Sequence, residues 1–167
     1  MKNLLILRHA SPQSKGADGT DFTRALTPEG ELEARMQGAF LREADIVPQV
    51  IATSAAVRAR TTAELLVDML GRGPAVTVEP VLYNAPGEEL LEYLRLLPEP
   101  AETVLLVAHM PGVAELLGIL ASDPADLAVQ FKPCTLAGVS LPGAARWADL
   151  APGTGVLEWL LPPLFAR

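Results

Sequence analysis

Three short apolar runs in this chain end in the same way. "LLILRHA" at 4–10, "VIATSAAVRAR" at 50–60 and "VLLVAHMPG" at 104–112 each begin as an unbroken apolar stretch and then deliver polar groups to a loop that opens a helical pattern. Such runs, short and bounded by polar residues, predict strands buried on both faces rather than half-exposed ones. Here they cover Lys2 to Leu7, "QVIATS" ending at Ser54, and "TVLLVAH". Between them, "LTPEGELEARMQGAFLRE" supplies Thr27 as an N-cap and Pro28 at the first helical position. Leu32, Met36, Ala39 and Phe40 follow at helical spacing, so a helix runs to about Glu43. "AVRARTTAELLVDMLG" predicts a helix closed by Gly71, "GEELLEYLRLL" one stopped by Pro98, and "PGVAELLGILA" a fourth.

"AVTVEPVL" alternates as a strand does, with Pro80 implying an edge position or an early end. "TLAGVSL", "ARWADL" and "VLEWLL" read as strands joined by Pro-Gly turns, antiparallel at one side. Alternating strands and helices predict the α/β class: a three-layer α/β/α sandwich whose central sheet is mostly parallel, with antiparallel strands at one side.

The 167 residues, half of them apolar, suffice for one domain with a substantial core, so 1–167 reads as a single unit. Thirteen Lys and Arg against 20 Asp and Glu give a net charge of -7, which leaves no electrostatic footprint for nucleic acid. Any anion must therefore be captured locally. The single cysteine, Cys134, excludes an internal disulfide and reads as a small buried hydrophobe in a reducing compartment. The apolar stretch of "MKNLLILRH" is broken by Arg8 before it reaches export length, and no stretch approaches the roughly 20 apolar residues of a membrane span. A cytoplasmic protein, monomeric and without membrane or nucleic-acid partners, is the expectation.

In an open α/β sheet, ligands bind beyond the carboxyl ends of the strands, where the three runs converge. The chain's two histidines, His9 and His109, both fall at such ends. Either alone reads as a satisfied structural residue; Arg58 and Arg60 alone read as solvent-facing helix residues. Together, two histidines and arginines at one sheet edge make a concentrated positive charge on an acidic protein, which calls for an anion. Arginine's planar fork matches phosphate, with a carboxylate as the competitor. The histidine beside Arg8 favours phosphate, because a neutral imidazole can attack phosphorus and nearby arginines lower its pKa. No nucleotide-binding glycine loop, zinc-ligand spacing or serine-hydrolase elbow is present, so neither metal nor cofactor is inferred.

With these residues in view, the chain resembles the histidine phosphatase superfamily of phosphoglycerate-mutase-like fold, and in particular its compact SixA-type branch. The resemblance runs through "LLILRHA", "DFTRALTPEG", "VIATSAAVRARTTAELL", "LLVAHMPGVAELL" and "PCTLAGVSL", nearly the whole chain. It implies that His9 is the nucleophile, that Arg8, Arg58 and His109 complete a phosphate pocket, and that water releases phosphate from His9. Arg24 matches a recurring family position, as a pocket residue or as a brace for its loop, and Ser11 is a further candidate substrate contact. Ser54 shapes the turn rather than reacting. Ala10 replaces the family's usual glycine, a variant common in the compact branch. Larger members carry an acid for the leaving group; here the candidates are Glu88 and Glu89, which read equally well as first-turn carboxylates favoured by the helix dipole. The implied substrate is a phosphorylated protein carrying phosphohistidine, or a small phosphorylated molecule. A non-catalytic phosphate-binding module is the alternative from another class.

Overall fold

The structure, a computed structural model, describes residues 1–121 and 129–164. Its elements in chain order are β1 (Lys2–Arg8), α1 (Pro28–Glu43), β2 (Val50–Ser54), α2 (Val57–Leu70), β3 (Val76–Glu79), α3 (Gly87–Arg95), β4 (Thr103–Ala108), α4 (Gly112–Leu120), β5 (Leu136–Leu141) and β6 (Val156–Leu161). One six-stranded sheet has the order β3-β2-β4-β1-β5-β6. The first four strands of that order are mutually parallel, whereas β5 and β6 run antiparallel at one side.

The unbroken apolar character of β1 and β4 follows from their central position, which leaves neither face to solvent. Leu4 and Ile6 of β1 join Val104 and Leu106 of β4 in a core against Leu90 and Leu94 of α3 and Val113 and Leu117 of α4. The alternate residues Leu5, Leu7, Leu105 and Val107 face Ala34 and Leu41 of α1 and Ala63 and Leu66 of α2. Each fully buried side chain of this size contributes about 1.5–3 kcal/mol, so one strand pair anchors both helical layers. The fold is thus a three-layer α/β/α sandwich.

Local chemistry sets the helix ends. The Thr27 hydroxyl accepts from the Gly30 N–H at 3.0 Å with Pro28 in the first turn, and Gly71 closes α2 at φ 73°. β3 lies at the sheet edge and stops at Glu79, where Pro80 begins a short 3-10 turn. α3 ends at Arg95, and Leu96 and Leu97 continue as a tighter turn, their N–H groups donating to Tyr93 and Leu94 carbonyls just before Pro98.

One predicted strand is absent. "ARWADL" forms a 3-10 turn at Trp147–Asp149, because Asp149 and Arg146 close a box across it and Trp147 is wholly buried with Nε1 donating to the Ala101 carbonyl at 2.7 Å. No described helix is long and apolar enough to cross a membrane.

The loop leaving β1 is seated on the start of α1. The Thr27 N–H donates to the Ser11 carbonyl at 3.0 Å, and a Cβ on Gly30 would lie 2.2 Å from that oxygen. Gly30→Ala must therefore displace backbone, with an expected cost of about 1–3 kcal/mol measured by urea denaturation. An unchanged midpoint would mean that this loop is not packed on α1.

Candidate active site

The carboxyl ends of β1, β2 and β4 bring both histidines and Arg58 together. The backbone of His9 is held from both sides: its N–H donates to the Ala108 carbonyl at 3.1 Å, and its carbonyl accepts from the Cys134 N–H at 2.9 Å. Strand pairing thus continues one residue beyond β1 and delivers the imidazole to the sheet edge. The His9 and His109 rings lie 5.1 Å apart between centroids, and Arg58 Nε donates to His9 Nε2 at 3.3 Å. His9, His109 and Arg58 are 5, 3 and 4% exposed, so the three side chains are buried at this end of the sheet.

Each histidine has one ring nitrogen engaged by a partner. His9 Nδ1 lies 2.8 Å from the Ala10 carbonyl, which can only accept, so Nδ1 carries the proton and Nε2 keeps its lone pair. Ser54 Oγ accepts from the Ala56 N–H at 3.2 Å and lies 2.7 Å from His109 Nε2, where its hydroxyl proton can be donated. With the Ser54 hydroxyl donating, the proton of the neutral ring sits on His109 Nδ1. Thr62 joins the loop after β1 to α2, accepting from the Ala10 N–H at 2.9 Å and donating to the Arg58 carbonyl at 2.6 Å.

Among the described residues, three buried side-chain polar atoms have no hydrogen-bond partner: Arg8 Nε, His109 Nδ1 and Thr135 Oγ1. All three belong to this end of the sheet. Thr135 faces Arg8 across the extension of the β1–β5 pairing, its carbonyl accepting from the Arg8 N–H at 3.1 Å, while Arg8 Nη1 donates to the Phe131 carbonyl at 2.8 Å. Unpartnered buried donors are uncommon and costly. Arg8 Nε and His109 Nδ1 offer two such donors beside His9, the arrangement that an oxyanion would satisfy.

Electrostatics keep both imidazoles neutral. Burial pushes His9 down to about 3, reinforced by His109, Arg58 and Arg8 against the opposing Ala10 carbonyl; burial and then Arg58 bring His109 to about 4. Desolvation, and not the nearby arginines that the sequence points to, is the larger cause. The arginines also have an internal counter-charge. Asp21, which sequence reasoning missed, accepts from Arg58 Nη2 at 3.0 Å and from the Tyr83 hydroxyl at 2.7 Å, both at Oδ2. Those contacts, with one from Arg24, hold its carboxylate far below the usual range, the Tyr83 bond being the largest contributor.

The remaining predicted residues lie elsewhere. The Ser11 hydroxyl donates to Glu33 Oε1 at 2.8 Å and its N–H to Oε2 at 2.9 Å, which directs the side chain to the buried Glu33 of α1 rather than to the histidines. Arg24 donates through Nε to the Gln13 carbonyl at 2.7 Å and through Nη1 to Asp21 Oδ1 at 3.0 Å, and so braces the 11–24 loop. Arg60 is exposed and pairs with Glu64 within α2, leaving Arg58 as the inward arginine. Glu88 and Glu89 are exposed in the first turn of α3; Glu88 lines a separate surface depression with Pro86, Glu115 and Ile119. Neither is hydrogen-bonded to a site residue.

No established family profile matches the chain. It is 32% identical over 160 residues to the uncharacterized proteins MT1313 and Rv1276c from two strains of Mycobacterium tuberculosis, covering 90% of this chain and 96% of each relative. Among solved structures, a proposed phosphohistidine phosphatase SixA from Nakamurella multipartitia superposes with a TM-score of 0.85 at 29% identity, over 98% of this chain and 96% of that one. The protein histidine phosphatase SixA complexed with tungstate superposes at 0.80 and 25%, over 95 and 96%. The chain belongs to the histidine phosphatase superfamily. Its fold is that of the SixA-like members, and its enzyme class is that of a phosphatase.

Neutral buried histidines carry a pH signature for any member built this way. Unfolded, each imidazole takes up a proton near pH 6.5; folded, His9 does so only near about 3 and His109 near about 4. The unfolded state therefore binds more protons through this window, and stability falls as the pH drops from about 6.5 towards about 4. His9→Asn removes one of the two contributions, so its urea midpoint should fall less between about pH 7 and about pH 4.5 than that of the parent. An equal fall would show that folded His9 titrates normally.

Proposed function

We propose that this phosphatase works in two steps through a covalent phosphohistidine on His9, and that its substrate is phosphohistidine borne on a protein. The observation that carries the reading is the neutral His9, its Nδ1 anchored on the Ala10 carbonyl and its Nε2 lone pair facing Arg58, beside the unpartnered Arg8 Nε and His109 Nδ1. In the first step, Nε2 forms a bond to phosphorus as the bond to the leaving group breaks. The Ala10 carbonyl stabilises the cationic ring that results. Arg8, Arg58 and the His109 Nδ1–H donate to the phosphoryl oxygens as their charge redistributes. In the second step, water forms the new P–O bond, the P–Nε2 bond breaks, and inorganic phosphate departs with His9 neutral again.

The leaving group favours a phosphoramidate. Among the described residues, Asp21 is the one carboxylate hydrogen-bonded to a site residue, and it is held ionised, unable to supply a proton at neutral pH. An alkoxide departs poorly without a positioned acid. A phosphohistidine ring protonated at its other nitrogen departs as neutral imidazole, taking the electron pair of the P–N bond, and requires none. Similarity to SixA proteins named for that substrate supports the same choice.

Turnover of a phosphohistidine peptide, an aryl phosphate and a sugar phosphate, measured side by side, should rank them in that order. His9→Ala should abolish all turnover, and Arg8→Ala should lower kcat by about 10²–10³. An alkaline denaturing quench of the parent enzyme should retain phosphate on His9, since phosphohistidine is stable to base. Normal turnover by the His9 variant would refute the mechanism. Preference for the sugar phosphate would assign the enzyme to small phosphomonoesters, and tight phosphate binding without any turnover would make it a binding module.

A further inference from the structure

The carboxylate of Asp21 ties together loops that leave three different strands. Asp21 itself lies between β1 and α1; Arg58 begins α2 beyond β2; Tyr83 follows the 3-10 turn beyond β3. Arg58 Nη1 donates to the Asp21 carbonyl at 2.8 Å and Nη2 to Oδ2 at 3.0 Å, while the Tyr83 hydroxyl shares Oδ2 at 2.7 Å and Arg24 holds Oδ1 at 3.0 Å. The same loop reaches α2 a second time, the Phe22 carbonyl accepting from the Val57 N–H at 3.1 Å.

The consequence for Arg58 follows from counting donors. A guanidinium has five N–H groups. One points at His9 and two are engaged by Asp21, which leaves one on each terminal nitrogen, that on Nη2 sharing the Nε edge that faces His9. Tyr83 flanks the arrangement, its ring 6.0 Å from the Arg58 guanidinium and 5.5 Å edge-on from His109. We propose that Asp21 is a positioning residue for the phosphatase reaction: backed by Tyr83 and Arg24, it sets the plane of the Arg58 guanidinium so that the remaining Nη2 donor, on the same edge as the Nε–H that points at His9, meets the phosphoryl group. This builds on the phosphatase reading of the pocket.

Two effects of Asp21 on an anion oppose each other, and their signs separate them. As a nearby negative charge it repels the ligand, so its removal alone would tighten binding. As the support of the fork it aids binding, so its removal would weaken it. Asp21→Asn preserves shape but replaces one acceptor oxygen with an NH2 group. Either Arg24 or the Arg58–Tyr83 pair then meets a donor instead of an acceptor.

The test is tungstate binding by calorimetry with kcat and KM on an aryl phosphate, for Asp21→Asn and Tyr83→Phe, alongside thermal midpoints. Asp21→Asn should weaken tungstate and lower kcat/KM about 10- to 100-fold, the scale of a misplaced catalytic group; Tyr83→Phe should give a smaller change of the same sign. Tungstate bound as tightly or more tightly by folded Asp21→Asn, with kcat unchanged, would overturn the proposal. Should Asp21→Asn fail to fold, Tyr83→Phe decides alone, parental binding and kcat being the overturning result. Binding is read without turnover, so failure of the phosphohistidine mechanism, seen as unlabelled His9, remains distinguishable.

Discussion

The structure depends on the pairing of β1 with β4, two parallel strands buried on both faces. Their register places Arg8 opposite Ala108, and the next backbone bond, His9 N–H to the Ala108 carbonyl, puts the two histidines one strand apart at the same edge. Because apolar side chains cover both faces of the pair, the imidazoles at its end are also withdrawn from water. That withdrawal makes them neutral, and neutrality leaves Nε2 of His9 the lone pair that the proposed nucleophilic role requires. Core packing and chemical competence therefore share one physical cause.

Charge at the site is partly balanced from within. A chain of net charge -7 holds two arginines beside two histidines without accumulating four positive charges, because burial keeps the imidazoles uncharged and Asp21 partners Arg58. Among the described residues, Arg8 Nε and His109 Nδ1 have no hydrogen-bond partner. The resting site thus keeps the positive charge of Arg8 and is short of acceptors, a state suited to the phosphoryl binding proposed above.

Much of this was legible in the sequence, for identifiable reasons. β1, β4 and α2 announced themselves through apolar runs, helical spacing and the Gly71 cap, which are local signals. His9, His109 and Arg58 could be brought together because the strand-end rule for α/β sheets converts sequence position into spatial proximity. Asp21 and Tyr83 could not, since their contacts join loops 62 residues apart and follow no periodicity; the one available hint was Arg24, three residues beyond Asp21. Ser11 was misdirected because its partner Glu33 lies inward on α1, and "ARWADL" because a single distant bond from Trp147 to Ala101 outweighs its strand-like pattern. The cause of the histidine shifts was likewise misjudged: charge is visible in a sequence, whereas desolvation depends on how completely the fold closes.

With two histidines in the chain, nitrogen-15 NMR of histidine-labelled protein resolves both imidazoles without ambiguity. At about pH 6, where an exposed histidine is largely protonated, both should be neutral with the proton on Nδ1, and tungstate should shift His109 Nδ1 while His9 stays neutral. A protonated His9, or a proton on its Nε2, would contradict the account at its centre.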